Sequence, residues 1–148
     1  MTETNTTYLA VNCELRAIRA SVVLARSFVA ATLHSWGLER CREAALAITS
    51  ELMTNAVEVS APGGIVRIHM SRRPNGLWLK ILDGAAERQP FRRRTVTSVE
   101  AVDAAESESF GGWGLQLTEY YAERVWTERA AERGCKWVCA VIDLEGSR

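Results

Sequence analysis

A chain of 148 residues with 47% apolar and 24% charged residues has the length and make-up of one water-soluble globular domain, long enough to bury a core without disulfides or a structural metal. Eighteen basic and eighteen acidic residues cancel, so no overall charge recommends nucleic acid or an anionic membrane as a partner. No apolar run is long enough for a bilayer, the polar start 1–7 does not read as a secretory signal, and the expected location is the cytoplasm.

Taken in chain order, Tyr8 to Cys13 reads as a short edge strand. Leu15, Ile18, Val22, Ala25, Val29 and Leu33 recur on a helical period and predict an amphipathic helix over about 14–33, with Gly37 as its stop. A second helix is predicted over about 39–58, with Ala45, Ile48, Leu52 and Ala56 on its core stripe. The breaker Ala61-Pro62-Gly63-Gly64 precedes two alternating segments, Ile65 to Met70 and Leu77 to Leu82. The Pro74-Asn75-Gly76 turn between them predicts a hairpin, since proline presets its φ and Asn-Gly tolerates positive φ.

From 83 to 112 no period is sustained; a basic half with Arg92-Arg93-Arg94 is followed by an acidic half. A segment of that kind inside a compact domain reads as a lid or binding loop over 84–112. A short helix over 115–121 and a second hairpin, 124–128 and 136–144, complete the chain. Helices gathered on one side and strands on the other predict an α+β fold, a two-layer α/β sandwich whose antiparallel or mixed sheet is covered by helices on one face, with 1–148 as a single domain.

The cysteines, Cys13, Cys41, Cys135 and Cys139, form no CxxC pair, and His34 and His69 lie away from them, so reduced buried thiols are expected rather than a zinc site. Trp36, Trp78, Trp126 and Trp137 are expected in a core or an interface.

Three groups of residues bear on chemistry. Glu51 and Asn55 in Glu51-Leu52-Met53-Thr54-Asn55-Ala56 are four apart, so on a helix they share a face about 40° apart. A carboxamide oxygen suits Mg²⁺, and a carboxylate beside it suits a general base; the plainer alternative is a solvated helix surface. Asp83-Gly84 ends a predicted strand, where the aspartate either accepts a hydrogen bond from an exocyclic amine or caps a turn. Gly111-Gly112-Trp113-Gly114-Leu115 opens the short helix, where glycines allow backbone amides close to a phosphate or simply form a hinge.

In their order and spacing the three groups resemble the N, G1 and G2 boxes of the Bergerat ATP-binding fold. The likeness is to the anti-sigma-factor serine kinases and their single-domain relatives in actinomycetes. Ala25-Arg26, Ser35-Trp36-Gly37-Leu38 and Gly134-Cys135-Lys136-Trp137-Val138 extend it over nearly the whole chain.

The resemblance implies that Asn55 coordinates Mg²⁺ on the phosphates of ATP and that Glu51 is the general base toward a partner's hydroxyl or toward water. It implies that Asp83, with Gly84 beside it, meets the adenine amine, and that Gly112, Gly114 and Leu115 belong to the phosphate lid. The partners it implies are an anti-anti-sigma protein with a STAS domain, which would be phosphorylated, a sigma factor, and a second copy of the chain in a homodimer.

The chain departs from the group where Ala85 follows Gly84, where Trp113 replaces an arginine, and where Val59 replaces a frequent histidine. These changes keep open an alternative: a nucleotide-binding module that sequesters its partner without catalysis. Lys136 is not expected to reach a phosphate.

Overall fold

The computed structural model describes residues 9–84, 114–132 and 134–145. Its elements are β1 (Leu9–Arg16), α1 (Ala20–Ser35), a single 3-10 turn (Glu39–Cys41), α2 (Arg42–Val59), β2 (Ile65–Arg73), β3 (Gly76–Asp83), α3 (Gly114–Tyr121), β4 (Arg124–Arg129) and β5 (Lys136–Ile142). The described strands form one sheet in the order β1-β2-β3-β5-β4, and every neighbouring pair is antiparallel. The α+β sandwich expected from the sequence is the observed one, with a purely antiparallel sheet.

Strand alternation sorts the sheet into two faces. One carries the cross-strand rows Cys13–Ile68–Ile81–Val138 and Val11–Met70–Leu79–Ala140. Against it α1 lays Ala25, Val29 and Leu33, and α2 lays Ala45, Ile48, Leu52, Met53 and Ala56, all in one buried cluster. Each buried valine, leucine, isoleucine or methionine among them contributes about 1.5–3 kcal/mol, so this face is where the fold acquires its stability.

The boundary between the first two elements differs most from the sequence reading. β1 runs on to Arg16 and α1 begins only at Ala20. Leu15, counted as the start of the helical stripe, instead continues the Val11–Cys13 alternation and pairs with Val66. Ile18 is 48% exposed for the same reason: it lies in the link between the elements, where the Ala17 amide donates to the Gly64 carbonyl at 2.7 Å. In the hairpin the turn is Pro74-Asn75, with Arg73 opposite Gly76. Gly76 carries the positive φ of 151°, and a Cβ there would meet Val141 Cγ1 at 2.7 Å and the Ile142 carbonyl oxygen at 2.9 Å, so close approach of β5 demands glycine.

The other sheet face holds the tryptophans. Trp78 and Trp126 meet edge to face at 5.1 Å, and the Arg73 and Arg124 guanidinium groups lie 3.7 and 4.4 Å from the respective ring centroids. Lys80 bonds Glu128 at 2.9 Å and sits 5.1 Å from the Trp137 centroid. Cys139, between Lys80 and Trp126 in register, is fully buried, and desolvation is the main cause that pushes its thiol up to about 12. These indoles therefore cover the open face instead of entering the helix-side core. Trp36 is half-buried against that core. The four thiols are free, with Cys41 and Cys139 buried and Cys13 and Cys135 half-buried.

α3 packs on α2, and its Thr118 is completely buried with no partner for Oγ1 among the described residues. An unsatisfied buried hydroxyl costs about 1–3 kcal/mol, whereas an apolar group of the same shape does not. Thr118→Val is therefore expected to stabilise the fold by about 1 kcal/mol and to raise Tm by roughly 2–4 °C, read by thermal unfolding. A fall in Tm would mean that the hydroxyl has a partner.

Candidate functional site

The site is organised by α2. The helix runs unbroken from Arg42 to Val59, and Leu52, Met53 and Ala56 bury against the sheet. Packing on that side fixes the rotation of the helix, so Glu51 and Asn55, one turn apart, are carried together at the margin of the buried stripe. Both are half-buried. Burial pushes the Glu51 carboxyl above its ordinary value of 4.5. The helix is braced from the far side by Arg26 of α1, which donates to the Leu46 carbonyl at 3.1 Å and to Ser50 Oγ.

The end of α2 is tied to the end of β3. The Ser60 amide closes the helix onto the Ala56 carbonyl at 3.0 Å, and Ser60 Oγ accepts the Gly84 amide at 3.2 Å. This link places Asp83, the last residue of β3, beside the C-terminal turns of the helix that carries Asn55. Among the described residues a Cβ at Gly84 would meet Ser60 Oγ alone, at an ordinary 3.8 Å.

Asp83 belongs to the helix-facing rows of the sheet, directly opposite Lys136 of β5. The Lys136 ammonium donates to Asp83 Oδ1 at 2.8 Å, and the two residues are 3% and 6% exposed. The sequence reading missed this pairing. It rests on the β3–β5 register across 53 residues of chain, for which no local pattern gives a signal.

α3 supplies the third side. Tyr121, at its C-terminal end, donates to Glu43 in the first turn of α2 at 3.4 Å. Since the two helices pack together, α3 runs back along α2. The N-terminus of α3 carries the favourable dipole of a helix start. Gly114 and Leu115 open this helix as expected. Gly112, Trp113 and the 85–112 part of the expected lid lie outside the described residues. His34, bonded to Glu39 at 2.6 Å, and His69, bonded to Asn12 at 2.8 Å, take no part in the site.

The donor set fits a magnesium nucleotide: a carboxamide oxygen for a hard cation, a helix N-terminus for phosphate oxygens, and a carboxylate on the sheet for an exocyclic amine. A helix carrying acid and amide over an antiparallel sheet, with the carboxylate at the end of the strand tied to it, is the arrangement of ATP-binding sandwiches of the Bergerat type. Residues 15–142 match the family model of the histidine kinase-like ATPase domain, and the chain belongs to that family. ATP binding and a kinase-like fold come with that membership. No curated protein matches the chain significantly in sequence.

Proposed function

We propose that the protein is an anti-sigma-factor-type protein serine/threonine kinase that phosphorylates an anti-anti-sigma partner with a STAS domain, and that it regulates transcription by holding or releasing a sigma factor. The observation that carries this reading is Glu51: a half-buried carboxylate whose pKa desolvation raises above 4.5, one turn from a carboxamide on the same helix. A carboxylate so placed can take the proton of a protein hydroxyl as it attacks the phosphoryl group.

On this reading, ATP·Mg²⁺ supplies the transferable phosphoryl group and the cation that neutralises its charge. Asn55 holds the cation through its carboxamide oxygen. Asp83 accepts the adenine amine, with Gly84 alongside. Gly114 and Leu115 present backbone to the phosphates. Glu51 orients the partner's hydroxyl and takes its proton. Phosphoryl transfer asks mainly for positioning and charge neutralisation, and these groups supply both. The protein would work in the cytoplasm, as a homodimer, on a protein rather than on nucleic acid or lipid. Among the described residues no helix is long and apolar enough to cross a membrane.

The test is incubation with labelled ATP, Mg²⁺ and a panel of STAS-domain proteins. Label on a partner supports the kinase. Nucleotide binding with no transfer to any of them supports the alternative, a non-catalytic module that sequesters its partner. For the metal ligand, loss of even outer-shell partners costs about 10- to 100-fold in metal affinity. Asn55→Ala is therefore expected to weaken nucleotide binding by at least about tenfold with Mg²⁺ and little in EDTA, by calorimetric titration. Equal affinities for variant and wild type in Mg²⁺ would remove Asn55 from the metal.

A further inference from the structure

We propose that Lys136 is a base-reading residue: its ammonium donates to N1 of adenine while Asp83 accepts from the neighbouring N6 amine, so that the pair reads two adjacent positions of the purine edge. The inference rests on the reading that Asp83 meets adenine, and adds to it a second contact and a specificity.

Asp83 and Lys136 are directly opposite on adjacent strands, on the face that the helices cover, at the end of the sheet where β3 is tied to α2 through Ser60. Side chains at opposed positions project in parallel, and here donor and acceptor are 2.8 Å apart. An ammonium carries three protons and a carboxylate two oxygens, and the bond between them uses one proton and one oxygen. What they present together is an acceptor next to a charged donor.

Adenine matches that pattern in one orientation: its N6 amine donates and its N1 accepts. If the sugar and phosphates hold the base in place, guanine and hypoxanthine oppose it at both positions. Their O6 is an acceptor set against the carboxylate, and their N1–H is a donor set against the ammonium. An aspartate alone creates one mismatch; the pair creates two. Because hydrogen bonds to charged groups are stronger than neutral ones, and a site built to bond rejects what cannot bond, each position is worth roughly ten- to a hundredfold.

The experiment is calorimetric titration of the full chain with Mg²⁺ and, in turn, ATP, 1-deaza-ATP, in which N1 is replaced by C–H, and GTP. The expected result is binding of ATP, a loss of roughly ten- to a hundredfold with 1-deaza-ATP, and a larger loss with GTP. In Lys136→Met the ATP advantage over 1-deaza-ATP should disappear. The ratio is also read in Asp83→Asn/Lys136→Met, which leaves no unpaired buried charge should the single variant not fold; it too should fall to unity.

ATP and 1-deaza-ATP binding equally to the wild type would overturn the proposal and leave the ATP site standing. Persistence of the ratio in either variant would assign N1 to another donor and overturn it as well. Tighter ATP binding in Lys136→Met would make Lys136 a competitor for the carboxylate, also against the proposal. Failure of the wild type to bind ATP at all would remove the underlying reading with it.

Discussion

Glu51→Gln is expected to lower phosphoryl transfer to the partner by roughly 10²- to 10⁴-fold, the usual worth of a positioned general base, while ATP affinity stays near the wild-type value. Glutamine keeps the shape and the hydrogen-bonding reach of the side chain but takes no proton. The measurement is single-turnover transfer of labelled phosphate, with nucleotide binding followed in parallel. Unchanged transfer would mean that positioning alone drives the reaction and that the carboxylate is not the base.

Burial gives the same residue a pH signature. The base must be ionised, so the rate rises with pH through a Glu51 value raised above 4.5, and the acid limb of the wild-type kcat/KM profile falls above that ordinary value. The stability effect has the opposite sense. The folded state holds this proton more tightly than the unfolded chain, so stability present below about pH 4.5 declines as pH rises through the folded value. Glu51→Gln removes that decline. The variant should melt at or above the wild type at pH 7, by a small margin because the group is half in solvent, and the margin should close in acid.

The parts of the site that were legible in the sequence were those whose geometry is local. Glu51 and Asn55 share a helix face because they are four apart, and the buried stripe Ile48, Leu52 and Ala56 fixes which way that face turns. The β2–β3 hairpin announces itself through its turn and its alternation, and with it the position of Asp83 at a strand end. Non-local parts left no such trace. Leu15 satisfies a helical period and a strand period alike, and only its pairing with Val66 decides for the strand. Alternation puts Trp78 and Trp126 on one side of their strands, but which side the helices cover is settled by packing on the sheet as a whole. That Lys136 belongs with Asp83 follows from the order β3-β5-β4, in which the last strand inserts between its predecessors. A lysine in an otherwise apolar strand carries no information about the acid it will meet.

That ion pair leads to the second large effect. Lys136→Met is expected to cost about 3–5 kcal/mol of folding free energy, because it removes the cation bonded to a carboxylate that is 3% exposed. Against a total of about 5–15 kcal/mol for a domain, the loss is visible directly in urea denaturation. Asp83→Asn, which strands the ammonium, should cost a comparable amount.

The informative variant is Asp83→Leu/Lys136→Met. Two apolar groups of similar volume need no desolvation, and exchanging a buried pair for them is often neutral or stabilising by about 1–4 kcal/mol. The double variant should therefore recover most of what either single change loses, with a large coupling in the cycle. A double variant as unstable as the sum of the two singles would mean that the residues act through other neighbours. If the stability returns, the pair is not there for the fold, and the remaining reason to keep two charges in a dry place is a ligand that meets both. The recovered protein should then show no rise in Tm with ATP, where the wild type must show one if nucleotide binds its native state. The same molecule thus separates the structural contribution of the pair, which hydrophobic replacement restores, from its recognition of the base, which it does not.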